Sequence, residues 1–226
     1  MVRESVPDEA CALPESERFS GMTDSPSPPV SSVSVRAFVA LPIDELLRAQ
    51  LTRLQATVAA TVPPKSVRWT RPEQIHLTLK FLGQVRAAAI PELTVALRSA
   101  CADAPVMRLK AEGFGCFPNG VRPRVLWVGV TGDLAALVRL QERVAAATGA
   151  LGAHNKREDF TAHLTLGRVQ SRRSPEVREV GEALAGVAFS QVGDWRAEAV
   201  ELQQSVLRPG GSVYTTLARV PLGAAG

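Results

Sequence analysis

The chain has 226 residues, enough for one large domain or two small lobes around a core of ordinary size. Hydrophobic residues make up 46% and charged residues 21%, as in a soluble globular protein. Lys and Arg outnumber Asp and Glu by 26 to 22, an excess that suits an anionic ligand but is too small for tight, non-specific nucleic-acid binding. Cys11, Cys101 and Cys116 cannot all pair and show no C-x-x-C spacing, which argues against a disulfide framework or a structural zinc site and predicts a reduced, cytoplasmic protein. No apolar run approaches a membrane span, and the acidic N-terminal residues lack the apolar stretch of a secretory leader.

Residues 1–33 are rich in Ser and Pro and poor in apolar side chains, so they are expected to remain a disordered tail. Met22 offers a second start within it. The folded domain is expected over 34–226. It opens with the β-rich run Val35–Leu41. Pro42 is placed as a first helical residue, and Leu47, Leu51, Leu54 and Val58 follow at helical spacing, predicting a helix over 43–60. Residues 67–70 and 74–82 read as strands, and Ile90, Leu93, Leu97 and Cys101 mark a second helix. Strands follow over 106–117 and 124–130, then a third helix capped by Asp133 and stopped by Gly149. A polar loop over 151–159 precedes a strand over 160–169 and a weaker helix after Pro175. Residues 197–207 and 212–220 read as a closing β-hairpin around a Gly-containing turn. Helices among hairpin-linked strands predict an α+β protein with antiparallel sheets.

The chain contains only three histidines, and two of them open the same word, His-Leu-Thr-Leu, at His76 and His163. The two copies stand 87 residues apart (163 − 76), which suits a duplication into two lobes. At average usage, roughly one chain in a few hundred with three histidines would repeat those following letters by chance. Strand alternation turns Ile75, Leu77, Leu79 and Phe81 to one face and His76, Thr78 and Lys80 to the other. In the second copy Leu164 and Leu166 oppose His163 and Thr165. Each strand buries its aliphatic side and presents an imidazole and a hydroxyl about 7 Å apart on the other. If the lobes face each other, two imidazoles and two hydroxyls share a cleft. One neutral imidazole can take a proton from water, one imidazolium can protonate a leaving oxygen, and the hydroxyls can hold phosphoryl oxygens. Lys80 and Arg168 can add positive charge. The bland alternative is two similar core strands left by a duplication; histidines on the polar faces have no packing reason to be there.

These words resemble the paired His-x-Thr/Ser-x motifs of the two-histidine (2H) phosphoesterase superfamily. The blocks "RAFVALP", "RWTRPEQIHLTLKFLGQV", "GFGCFPNGVRPRVLWVGV", "FTAHLTLGRV" and "LQQSVLRPGGSVYTTLARVPL" are similar, in that order, to the RNA 2′,3′-cyclic phosphodiesterases, also called 2′–5′ RNA ligases. The resemblance covers about residues 35–222. It implies a bilobal α+β fold of duplicated lobes related by a pseudo-twofold axis, with the cleft between them. It implies RNA ends bearing a 2′,3′-cyclic phosphate as substrate, a 2′-phosphate product, and 2′–5′ ligation in the reverse sense. His76 falls on the proton donor, His163 on the proton acceptor, and Thr78 and Thr165 on the phosphate-binding positions. Arg168 matches an arginine that can contact the phosphate, although alternation puts it off the His163 face, so that contact requires a bend in the strand. Ala162 stands where the family often has Pro.

Neither the resemblance nor the residues call for a cofactor, a metal, a membrane or an obligate protein partner. The chain has no Gly-rich phosphate loop and no cysteine cluster, though two histidines and Asp159 could gather a metal. His154 is placed in a solvated loop, Phe81 and Trp127 in the core with base stacking as the sharper alternative, and Tyr214 in a structural role. Arg172 and Arg173 read as solvated charge that could touch an RNA strand. Two other readings remain: hydrolysis of small cyclic phosphates, and RNA-end binding without turnover.

Overall fold

The computed structural model describes residues 33–151, 160–187, 189, 191–209 and 211–223. The predicted tail, apart from Val33, and the loop residues carrying His154 and Asp159 lie outside the described residues. Among the described residues four helices and nine strands follow in the order β1 (Ser34–Pro42), α1 (Glu45–Ala59), β2 (Val67–Trp69), β3 (His76–Arg86), α2 (Ile90–Cys101), β4 (Met107–Phe117), β5 (Val125–Gly132), α3 (Leu134–Ala147), β6 (His163–Val169), α4 (Ser174–Leu184), β7 (Gly193–Ala197), β8 (Ala199–Arg208) and β9 (Gly211–Pro221). The element types match the sequence reading throughout, with one omission: β7, a five-residue strand beginning at a glycine, is too short to show a period. Two caps differ from expectation. Pro42 ends β1 rather than starting α1, and Asp44 caps that helix by accepting the Leu47 N–H at 2.8 Å. The Asp133 carboxylate instead accepts the Arg108 N–H at 2.8 Å, tying the start of α3 to β4.

The strands form one curled antiparallel sheet in the order β7-β4-β5-β6-β3-β1-β8-β9, with β2 paired on β6. The halves β9-β8-β1-β3 and β7-β4-β5-β6 repeat each other, as the α+β duplication predicts. They do not stand as two separate sheets facing across a gap. They join through β3 and β6, the two motif strands, at the pair Leu77–Leu164. The crossover helices are exchanged between halves. Helix α1 leaves β1 and packs toward β7, whereas α3 leaves β5 and packs on β3 beside α2. Their apolar stripes, Leu47, Leu51, Leu54 and Val58 on α1 and Leu137, Leu140 and Val144 on α3, are buried against the sheet. The core includes Leu77, Leu79, Leu164 and Leu166 from the motif strands and runs beneath both halves.

Each motif strand carries a β-bulge just after its His-x-Thr. In β3, Ala40 faces Thr78 and Val39 faces Lys80, so Leu79 is the extra residue. In β6, Trp127 faces Thr165 and Leu126 faces Gly167, so Leu166 is the extra residue. One inserted residue reverses the alternation beyond it. A glutamine from each exchanged helix reaches the bulge carbonyl. Gln55 Nε2 donates to Leu166 O and to Thr70 O, both at 2.8 Å, and Gln141 Nε2 donates to Leu79 O at 3.4 Å. The bulges are therefore built into both halves of the fold.

Candidate active site

The Leu77–Leu164 pairing fixes the relation of the two motifs. In an antiparallel register one residue either way sets His76 across from Thr165 and Thr78 across from His163. Leu77 and Leu164 are fully buried on the helix side, and the four polar residues are half-buried on the opposite, concave side. The two imidazoles are near enough that each disfavours charge on its neighbour, since His163 is one of the groups lowering the pKa of His76.

Both rings are oriented the same way. His76 Nδ1 lies 2.7 Å from Gln74 O, and His163 Nδ1 lies 2.7 Å from Thr161 O. A carbonyl can only accept, so Nδ1 carries the proton in each ring and Nε2 is left without one in the neutral imidazole. Gln74 is itself held, its side-chain amide donating to Ser212 O in the β8–β9 hairpin. The Thr78 hydroxyl lies 3.0 Å from His76 Nε2 and donates to it when the ring is neutral. Among the described residues His163 Nε2 has no such partner.

The surroundings differ. Phe38 stacks on His76 at 4.8 Å between centroids, and Tyr214 meets the same ring edge-on at 5.5 Å. His163 has Phe117 edge-on at 5.0 Å and Trp127 at 6.2 Å. The Trp127 indole reaches this place only because residue 115 is glycine: a Cβ there would lie 2.2 Å from the ring. Burial among these rings pushes the His76 pKa down to about 4, with the Gln74 carbonyl acting against the shift and His163 adding to it. His163 is also lowered, first by burial and then by Arg168, with the Thr161 carbonyl opposing. The protein's own groups thus keep both imidazoles neutral near pH 7.

The remaining sequence candidates separate at the bulges. Beyond Leu79 the alternation reverses, which corrects the expectation that Lys80 shares the His76 face. Its Nζ donates to Ala145 O at 2.9 Å and to Thr148 Oγ1 at 3.0 Å, capping the end of α3 on the helix side. Phe81 goes the other way: it is 50% exposed rather than in the core. Beyond Leu166 the same reversal supplies the bend that Arg168 requires. Leu166, Gly167 and Val169 are buried while Arg168 is exposed, on the side of His163 and Thr165. Trp127 is half-buried beside His163, and Tyr214 borders the cleft at His76. Sequence spacing does not point to Phe38, Phe117 or the Gln74 and Thr161 carbonyls as partners of the histidines, because the first two come from other strands, β1 and β4, and the last two act through backbone. A cavity of about 410 Å³ opens beside His76, lined by Tyr214, Glu201, Gln203, Thr216 and Arg219. Among the described residues no three His, Cys, Asp or Glu side chains gather as a metal site.

A curled, duplicated sheet with two inward-facing His-x-Thr strands at its seam defines a class, the two-histidine phosphoesterases, and comparison with known proteins places the chain within it. Residues 41–127 and 128–214 each match the LigT-like phosphoesterase family. An Archaeoglobus fulgidus protein called RNA 2′,3′-cyclic phosphodiesterase is 32% identical over 183 residues, 81% of this chain and 98% of the relative. A Thermus thermophilus protein of the same name is 33% identical over 195 residues, 83% and 90% of the two chains. A crystal structure of a Thermus thermophilus protein superposes with a TM-score of 0.69 at 28% identity, covering 83% of this chain and 97% of the other. The chain belongs to the LigT-like phosphoesterase family.

Proposed function

We propose that the protein is an RNA 2′,3′-cyclic phosphodiesterase that opens the terminal ring to leave a 2′-phosphomonoester. The observation that carries this reading is the pair of imidazoles on adjacent strands, each with Nδ1 on a carbonyl and Nε2 toward the shared concave face. The names of the relatives support the same substrate. His163, whose Nε2 has no protein hydrogen bond among the described residues, takes a proton from the attacking water. Water oxygen bonds to phosphorus, the bond from phosphorus to the 3′ oxygen breaks, and His76 Nε2–H gives that oxygen its proton. These are the roles the resemblance assigns to the first and second motif.

A donor must start protonated, and His76 is neutral in the protein alone. The phosphodiester supplies the missing condition: its negative charge beside Nε2 favours the imidazolium, so substrate binding creates the acid. Thr78 and Thr165 donate to the non-bridging oxygens as charge builds there, and Arg168 adds positive charge from the same face. Thr78 then exchanges its hydrogen bond with His76 for one with the phosphate. No cofactor takes part, and a 5′-hydroxyl in place of water would give a 2′–5′ linkage.

The test is incubation with a short RNA ending in a 2′,3′-cyclic phosphate, with and without chelator, followed by location of the product phosphate. A 2′-phosphate formed at the same rate in both is expected. Binding without turnover, or turnover only with an added divalent ion, would overturn the reading.

A further inference from the structure

The +4 net charge is modest, yet four arginines line one cavity beside the β2–β6 pair. Arg68 on β2 stands directly across from Arg168 on β6, and Arg168 in turn pairs with Val125, next to Arg124. Arg172 follows four residues after Arg168 and lines with the other three a cavity of about 560 Å³. All four are exposed, and none forms an ion pair with a carboxylate among the described residues. Arg124 is positioned by its Nη1, which donates to Ser171 O at 2.6 Å.

Like charges directly opposite on paired strands destabilise a sheet, and ordinary protein surfaces intersperse carboxylates among such cations. Here the repulsion is left in place beside the catalytic face. Arg168 lies three residues past Thr165, about 10 Å along the strand, so the cluster extends beyond the reacting phosphate rather than surrounding it. Guanidinium groups match the two free oxygens of a phosphodiester with paired donors, which an isolated ammonium does not.

We propose that Arg68, Arg124 and Arg172, continuing outward from Arg168, form a second anion site, which binds the internucleotide phosphodiester adjoining the cyclic end of an RNA strand. The site makes the enzyme prefer oligonucleotide ends over mononucleoside cyclic phosphates. This rests on the function proposed above, and it assigns the direction of the strand: the RNA leaves the histidine pair over the β2–β6 edge. An anion there also removes the Arg68–Arg168 repulsion.

The experiment compares the wild type with the double variant Arg68→Gln/Arg172→Gln on two substrates, a nucleoside 2′,3′-cyclic phosphate and a short RNA with the same end. The two arginines lie outside the reacting groups, so turnover of the nucleoside substrate should be unchanged, which also reports intact folding. On the RNA, kcat/KM should fall roughly tenfold or more per arginine. The slope of log kcat/KM against log salt should flatten by roughly 0.7 in the double variant, the counterion release of one phosphate, a change that a merely structural role would not produce. An unchanged RNA-to-nucleoside ratio and salt slope would overturn the site. Should the wild type hydrolyse neither substrate, the function itself fails, and the site is judged by binding of a fluorescent RNA ending in a 2′-phosphate. Binding weakened in the double variant would sustain the anion site; equal binding would end it.

Discussion

The two halves of the cleft share a local design and differ around it. His76 and His163 each begin a strand, each donate Nδ1–H to the carbonyl two residues back, and each precede a bulge that a glutamine from an exchanged helix reaches. Beyond the bulge the likeness ends. In one half the residue returning to the cleft face is Phe81, in the other Arg168. One histidine is packed by Phe38 and Tyr214 and driven down to about 4; the other, beside Phe117 and Trp127, is lowered less and keeps a free Nε2 among the described residues. Under the proposed function, what the halves share would serve acid–base chemistry on a near-symmetric phosphate. What differs would give that chemistry a direction, because a symmetric cleft could not tell the water side from the leaving-group side.

Replacing the histidines breaks the comparison most severely. His76→Ala and His163→Ala should each lower kcat/KM for a cyclic-phosphate RNA by about 10²–10⁴-fold, the usual worth of a positioned acid or base. Both variants should still unfold cooperatively, which thermal unfolding checks. The direction is then read from the leaving group. A nucleoside phosphodiester that expels p-nitrophenolate needs no proton donor. On it His76→Ala should lose far less than on RNA, while His163→Ala should lose as much as before. The opposite ranking would exchange the two roles.

The unequal burial of the rings predicts an unequal effect on stability. A histidine with a folded pKa of about 4 against an ordinary 6.5 binds its proton less readily folded than unfolded. Its favourable share is therefore complete above pH 6.5 and is lost as pH falls toward 4. The difference corresponds to about 3 kcal/mol. Denaturant unfolding from pH 7 to pH 4 should show His76→Gln losing about that much less stability than the wild type. His163→Gln should show the same sign and a smaller effect. Added phosphate should reduce the His76 difference, because a bound anion favours the charged ring.

The sequence reading puts its four candidate side chains on one face because they lie before the bulges, where strict alternation holds. His76 and Thr78, like His163 and Thr165, share a face for the same reason that Leu77 and Leu164 share the other. Alternation failed at Lys80, Phe81 and Arg168, all beyond the inserted residue. Nothing in "HLTLKF" or "HLTLGR" read alone marks Leu79 or Leu166 as an extra residue; the insertion shows only against the partner strands β1 and β5. The exchange of α1 and α3 was equally hidden, since an amphipathic helix records that it covers a sheet and not which half. Strand β7 escaped because its Trp195 and Ala197 are too few to establish a period. The aromatic setting of each histidine comes from long-range pairing, which a one-dimensional pattern does not contain.

The two bulge glutamines offer the finest test of the halves. Gln55 is buried and donates to both Leu166 O and Thr70 O at 2.8 Å, locking the β6 bulge to the segment that follows β2. Gln141 occupies the matching place on α3 but reaches Leu79 O only at 3.4 Å, near the limit of a useful hydrogen bond. In that half Lys80 supplies the stronger tie between bulge and helix, through Ala145 and Thr148. Gln55→Leu should therefore cost about 1–3 kcal/mol, the penalty for breaking well-formed buried hydrogen bonds, while Gln141→Leu should cost well under half of that. Lys80→Leu should cost more than Gln141→Leu, because it leaves the Thr148 hydroxyl and the Ala145 carbonyl without their donor. Equal losses for the two glutamines in chemical denaturation would mean that the bulges are held alike. The difference between the halves would then reside only in the rings and charges around the cleft.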